Sequence, residues 1–311
     1  MIFEDFSDVH FNTVAPYLNK DAAPRLRANG KIHSMESPAE TRCGDSLFRW
    51  GSRTYIMGII NLSPDSFSGD GCTSLDSALE RARQMVEQGA DIIDVGGEST
   101  RPGAGAVSED EEVRRVLPFI TAVSGRIGVP VSIDTCKPGV ASQALQAGAG
   151  MLNDISGQNM EPGMLELAAR RDVPIILTSN QRGQQVSDIV GAVISQLKDL
   201  MGRAAHAGVR TDNIIIDPGI GFGKTVEQNL ELVRRLDELK VLGRPVLLGT
   251  SRKSFIAAIA GTSPQERALG TAASVAIGIA RGAGMVRVHD VAEMKLICRM
   301  SDAIMGRTAQ A

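Results

Sequence analysis

At 311 residues, with 43% hydrophobic residues and a formal net charge of -3, the chain is long enough for one large domain and offers no basic face for nucleic acid or an anionic membrane. No run of about 18 apolar residues is present, which excludes a membrane-spanning helix. Cys43, Cys72, Cys136 and Cys298 are scattered without a CxxC pair, as expected of a reduced, cytoplasmic protein without a zinc site or disulfide scaffold.

Residues 1–42 hold Asp, Glu, Asn, Pro and Ser with no sustained period, and the opening Met1-Ile2-Phe3-Glu4-Asp5 is acidic where a targeting signal would be basic. They read as a short, irregular, poorly ordered N-terminal extension, with His10 and His33 as surface residues, ahead of a domain over 43–311. Cys43-Gly44 to Trp50-Gly51-Ser52 reads as a hairpin, with Gly51 in its turn, that closes the bottom of that domain.

Eight short apolar runs come next, each followed by a helix-length stretch. Thr54 to Ile60 leads into Asn61, Asp91 to Val95 into Gly96-Gly97-Glu98-Ser99-Thr100-Arg101, Val129 to Ile133 into Asp134, and Met151-Leu152 into Asn153-Asp154. Val173 to Leu177 leads into Thr178-Ser179-Asn180, Ile214 to Ile216 into Asp217, Val246 to Leu248 into Gly249-Thr250-Ser251-Arg252-Lys253, and Met285 to Val288 into His289-Asp290. Helices are expected over 75–89, 109–123, 136–147, 161–171, 186–207, 226–239, 265–281 and 291–304, several with a clear 3.6-residue apolar face. Runs buried on both faces and separated by helices signal an all-parallel sheet. Eight such units predict an α/β fold, a (β/α)8 barrel of about 250 residues, whose site lies where the C-terminal ends of the strands converge.

Nearly every run ends in a residue suited to chemistry. The loop from Asn61 to Gly71, which carries Phe67, is longer than the two to six residues usual for such a connection, which suits a mobile lid. After the second run, Gly96 and Gly97 allow backbone amides to approach an anion, while Thr100 and Arg101 add donors. Asp134, Asn153 and Asp217 each suit a helix N-cap; together they suit a ring that accepts from a flat heterocycle rich in N–H donors. The glycines of Asp217-Pro218-Gly219-Ile220-Gly221-Phe222-Gly223-Lys224 do not match a phosphate-loop spacing and instead let the chain turn tightly beside a ligand. Ser251, Arg252 and Lys253 close the seventh run. Arg287 and His289 share one side of the eighth, where barrels commonly hold phosphate. A guanidinium inside an apolar strand needs an anion.

The segments Met57 to Ser68, Asp94 to Gly103, Ser132 to Thr135, Asn153 to Gly157, Asp217 to Lys224, Ser251 to Phe255 and Arg287 to Asp290 resemble, in order, the motifs of the dihydropteroate synthases, a pterin-binding barrel family. Seven collinear motifs at barrel spacing are far more specific than any one glycine pattern. The resemblance implies a transferase that joins 6-hydroxymethyl-7,8-dihydropterin pyrophosphate to p-aminobenzoate, releasing pyrophosphate, in folate biosynthesis. It implies Asp134, Asn153, Asp217 and Lys253 around the pterin, and Asn61, Arg287 and His289 on the pyrophosphate with Mg2+ at Asn61. It places Phe67, Thr100, Arg101, Pro102 and Ser251 around p-aminobenzoate, and gives Asp134, Lys253 and Arg287 the catalytic roles. A homodimer through the last helices is also implied, and the lid loops are where sulfonamide-insensitive members differ from sensitive ones. One departure stands out: Thr178-Ser179 occupies the place of the family's usual Met-His pair. Two other readings stay open, a methyltetrahydrofolate-type methyltransferase sharing the polar ring, and a non-catalytic paralogue.

Overall fold

The computed structural model describes residues 40–62, 74–99, 105, 107–260 and 267–307. A hairpin of β1 (Glu40–Cys43) and β2 (Ser46–Arg49) comes first. Its turn is at Gly44, in the left-handed region at φ 56°, and not at Gly51, which follows the second strand. Gly44-Asp45 is the two-residue turn between paired Cys43 and Ser46, and Phe48, Trp50 and Tyr55 pack ring against ring with centroids 4.9 to 5.9 Å apart.

Eight parallel strands follow: β3 (Tyr55–Asn61), β4 (Ile92–Gly96), β5 (Val131–Asp134), β6 (Met151–Asp154), β7 (Ile175–Thr178), β8 (Ile214–Asp217), β9 (Leu247–Leu248) and β10 (Met285–Val288). They pair in the order β8-β7-β6-β5-β4-β3-β10-β9. A single parallel bridge from Ile216 to Val246 joins the two edges, so the sheet closes as a barrel. The connections are α1 (Leu75–Glu87), α2 (Glu109–Val123), α3 (Pro138–Gln146), α4 (Pro162–Arg171), α5 (Ile189–His206), α6 (Val226–Arg234), α7 (Ser254–Ala260) and α8 (Arg267–Ala280), with α9 (Val291–Ile304) at the end.

The helices start where their sequences say. Ser74 and Thr225 form capping boxes with Ser77 and Gln228, and Ser108 accepts from the Glu111 amide ahead of an acidic first turn. The expected helix over 226–239 is shorter: α6 gives way to a 3-10 stretch over Leu236–Leu242, which stops at left-handed Gly243. The short α7 has no counterpart among the expected elements.

Side chains alternate along each strand. One inward set, Met57, Ile92, Met151, Ile176, Ile215, Leu247 and Met285, forms an apolar floor that packs with Cys43, Phe48 and Tyr55. The hairpin therefore closes the bottom, as expected. Two residues further along the same strands, the inward positions are Asp94, Asn153, Thr178, Asp217 and Arg287.

Candidate active site

The Arg287 guanidinium lies inside the barrel. Its Nε donates to Asp94 Oδ2 at 2.6 Å and its Nη2 to Asp134 Oδ2 at 2.7 Å. Asn153 Nδ2 donates to the same Asp94 oxygen at 3.0 Å. The anions that a buried guanidinium requires are thus supplied by β4 and β5, and the rest of its five-donor fork remains for a ligand. Burial pushes the Asp134 carboxyl up to about 7; Arg287 opposes that shift and Asp94 adds to it. Around this network Asp94 Oδ1, Ser132 Oγ, Asn153 Oδ1 and Thr178 Oγ1 are buried with no hydrogen-bond partner among the described residues. An unpaired buried polar group costs about 1–3 kcal/mol. Several converging on one interior mark a site shaped for a polar ligand.

On the opposite wall, Asp217 Oδ1 accepts from the Gly219 amide at 2.7 Å. Burial raises its pKa, and Lys253 is the largest opposing influence. The Lys253 ammonium bonds to the Ile220 carbonyl and sits 4.6 Å from the centre of the Phe222 ring. Burial pulls it down to about 8, with Asp217 pulling the other way. Lys224 is held by the carbonyls of Gly219, Ser179 and Phe222 at 2.9 to 3.2 Å, and burial lowers it to about 7. The glycines of this loop do work as turn residues: Gly219 and Gly223 have φ of 68°, and a Cβ on either would run into the backbone of residues 179 to 182. They bring the β8 loop against the β7 loop, so their tight approach is to protein backbone.

None of Asp134, Asn153 and Asp217 caps a helix; α3 follows Lys137 without a side-chain cap, α4 follows Glu161 likewise, and α6 is capped by Thr225. At the rim, Ser251 Oγ lies 2.9 Å from His289 Nδ1, and Asn61 ends β3 beside Gly96. Arg252 is no solvated surface residue: it takes a left-handed φ of 55° and its Nε donates to Asp290 at 3.0 Å. Gly97 also packs closely on α2, where a Cβ would be 2.9 Å from both Glu112 and Val116. Next to it Lys137 bridges Glu98 and the buried Glu112. Phe67, Thr100, Arg101 and Pro102 lie outside the described residues.

Sequence reasoning passed over Asp94, Ser132, Lys224 and Gln196. Asp94 had a signal, a carboxylate within the run Ile92-Ile93-Asp94-Val95. Gln196 had none: it looks like any polar residue of a long helix, yet it is buried and its Oε1 accepts from Ser179 Oγ at 2.7 Å and from the Asn180 amide at 2.8 Å. Around it Gln181 joins Ser179, so the segment that departs from Met-His is filled by a buried hydrogen-bonded cluster.

A family model described as "Pterin binding enzyme" matches residues 57–289. The dihydropteroate synthase of Bacillus subtilis is 45% identical over 276 residues, covering 88% of this chain and 97% of that protein. A crystal structure of dihydropteroate synthase from Clostridium difficile in the presence of pteroic acid superposes with a TM-score of 0.79 at 47% identity, covering 82% of this chain and 98% of that one. The Xanthomonas albilineans dihydropteroate synthase in complex with 7,8-dihydropteroate gives a TM-score of 0.78 at 36% identity, covering 86% and 98%. A barrel whose interior turns polar halfway up, with matches of this extent on both sequence and backbone, places the chain in the pterin binding enzyme family, among the dihydropteroate synthases.

Proposed function

We infer that the chain is a dihydropteroate synthase, a transferase that condenses 6-hydroxymethyl-7,8-dihydropterin pyrophosphate with p-aminobenzoate and releases pyrophosphate. The observation that carries this reading is the row of unpaired buried polar atoms ringed by Arg287, Lys253 and Asp217. Such a ring accepts one flat, donor-rich heterocycle and leaves cations at the rim for its anionic tail.

In this reading Asp217 accepts from the amino-pyrimidine edge, while Asn153, Asp134 and Lys253 complete the pterin contacts. Asn61, Arg287 and His289 hold the pyrophosphate. Mg2+ demands few protein ligands when phosphate oxygens and water supply the rest, so the Asn61 carboxamide at the rim fits it without an acidic cluster, and no such cluster occurs among the described residues. Bound there, Mg2+ would neutralise charge on the leaving group. Arg287 does the same from the protein side as the C–O bond to pyrophosphate breaks, and the exocyclic methylene of the pterin becomes cationic. Asp134, ionised beside Arg287, stabilises that cation. The neutral arylamine attacks it in a pocket of Phe67, Thr100, Arg101, Pro102 and Ser251, and loses its proton only after the C–N bond forms. No Ser/His/Asp or Cys/His nucleophile is needed.

The protein works in the cytoplasm as a homodimer. The support for the dimer is a set of large apolar residues left exposed on α8 and α9, among them Leu269, Leu296, Met300 and Ile304. No described helix is long and apolar enough to cross a membrane. The test is formation of 7,8-dihydropteroate with one equivalent of pyrophosphate by the purified protein. Chelation should stop it and Mg2+ restore it; no product with both substrates and Mg2+ present would overturn the reading.

A further inference from the structure

The two hydroxyls at the end of β7 have opposite fates. Ser179 turns outward, where Gln196 of α5 satisfies it at 2.7 Å and Gln181 adds a second contact at 3.1 Å. Thr178 lies two residues beyond the floor residue Ile176 and so faces the interior. It is completely buried, yet its Oγ1 has no partner among the described residues. Its register partner on one side is Asp217; on the other, Ile176 and Leu177 pair with Asn153 and Asp154. The hydroxyl therefore stands on the wall between the Asp217 and Asn153 side chains. The cluster around Gln196 holds the chain beyond it, with the Asn180 amide also bound to Gln196 at 2.8 Å.

We propose that Thr178 is a specificity-determining residue, whose hydroxyl hydrogen-bonds to the amino-pyrimidine edge of the pterin between Asp217 and Asn153. This rests on the dihydropteroate synthase reading and deepens it. The hydroxyl is both donor and acceptor, so it can take an N–H of the exocyclic amino group that Asp217 leaves over. Gln196 is the positioning residue: by saturating Ser179 and the Asn180 amide it fixes which of the two hydroxyls faces the ligand. A buried polar atom with no partner among the described residues is what a contact reserved for ligand looks like.

The experiment compares wild type with Thr178→Val, which keeps the shape and removes the hydroxyl, and Thr178→Ser, which keeps the hydroxyl. Calorimetry would measure binding of the pterin pyrophosphate and of an analogue in which hydrogen replaces the amino group. Thr178→Val is expected to weaken the amino compound about tenfold, the scale of one net hydrogen bond. Its affinity for the analogue and its KM for p-aminobenzoate should stay put, and Thr178→Ser should bind as wild type does. The ligand-free Val variant should melt no lower than wild type, since no described residue pairs with the lost hydroxyl. Equal weakening for both compounds, an equal loss in Val and Ser, or unchanged binding in Val would each overturn the assignment. A wild-type protein that bound no pterin would overturn the functional reading with it.

Discussion

The floor and the upper interior of the barrel are built by the same strands, two residues apart, and they obey opposite rules. Below, Met57, Ile92, Met151, Ile176, Ile215, Leu247 and Met285 fill the space and the hairpin seals it with Phe48 and Tyr55. Above, the inward positions are Asp94, Asn153, Thr178, Asp217 and Arg287, and Asp94, Asn153 and Thr178 leave buried polar atoms unmatched among the described residues. One half is optimised as a folded structure; the other is a folded structure completed only by ligand. Substitutions should therefore separate the two cleanly, stability below and binding above, except where the upper layer is charged and must hold itself together.

Arg287 is that exception and gives the largest expected effect. Arg287→Ala leaves Asp94 and Asp134 facing one another without their cation, which costs about 3–5 kcal/mol of stability. Binding of pterin pyrophosphate should fall by about 2 to 5 kcal/mol, and binding of the pyrophosphate-free pterin by much less. The stability deficit should shrink from pH ~8 to pH ~5, because protonation neutralises Asp134, which burial holds up to about 7 even with Arg287 beside it. Equal losses for the two ligands would remove Arg287 from the pyrophosphate grip.

Phe48→Ala tests the floor. The ring is 2% exposed and packs on Trp50 and Tyr55, so its loss should cost about 3–5 kcal/mol. At temperatures where the variant is folded, kcat and both KM values should match wild type. A fall in pterin affinity comparable with the fall in stability would mean that floor and site are one mechanical unit.

How much of this division was legible in the sequence depends on where each signal lies. Strand ends advertise themselves, so Asp134, Asn153, Asp217 and His289 stand out as polar residues closing apolar runs. Asp94 sits two residues before the strand-end position that Asp134 occupies, and only the register that sets β4 beside β3, and β3 beside β10, brings it to Arg287. The hairpin turn at Gly44 was legible locally, since Gly44-Asp45 is a two-residue turn between Cys43 and Ser46, and Gly51 was the wrong glycine to choose. The seven residues of α7 are too few to display a helical period. Gln196 acquires its role only when α5 packs on β7, far from it in sequence.

Asp217→Asn should act more gently than the loss of Arg287. Its Oδ1 accepts from the Gly219 amide, a contact an amide oxygen reproduces, so the melting temperature should barely move. The other carboxylate oxygen becomes a donor facing the donor-rich edge of the pterin, and affinity should fall about tenfold or somewhat more. A large loss of melting temperature with intact pterin binding would instead make Asp217 a turn residue.

The smallest effect is a pH dependence, and it asks whether the upper layer is electrostatically settled before ligand arrives. Burial holds Asp134 up to about 7, well above the ordinary carboxylate value of about 3.9. A folded-state pKa raised in this way means the native protein binds the proton more firmly than the unfolded chain does. Its contribution to stability is full below pH ~4 and is lost as pH rises through ~7. Asp134→Asn should flatten that part of the melting curve against pH. Activity has the opposite sign, because the ionised form faces the methylene cation: kcat/KM for the pterin substrate should rise severalfold through pH ~7. It should fall again above pH ~8 as Lys253, lowered by burial to about 8, loses its charge. Phe48→Ala should leave the shape untouched. A wild-type profile flat from pH ~6 to ~7 would mean that Arg287 keeps Asp134 ionised in the empty enzyme, and that the charged layer is as fully resolved before binding as the apolar floor beneath it.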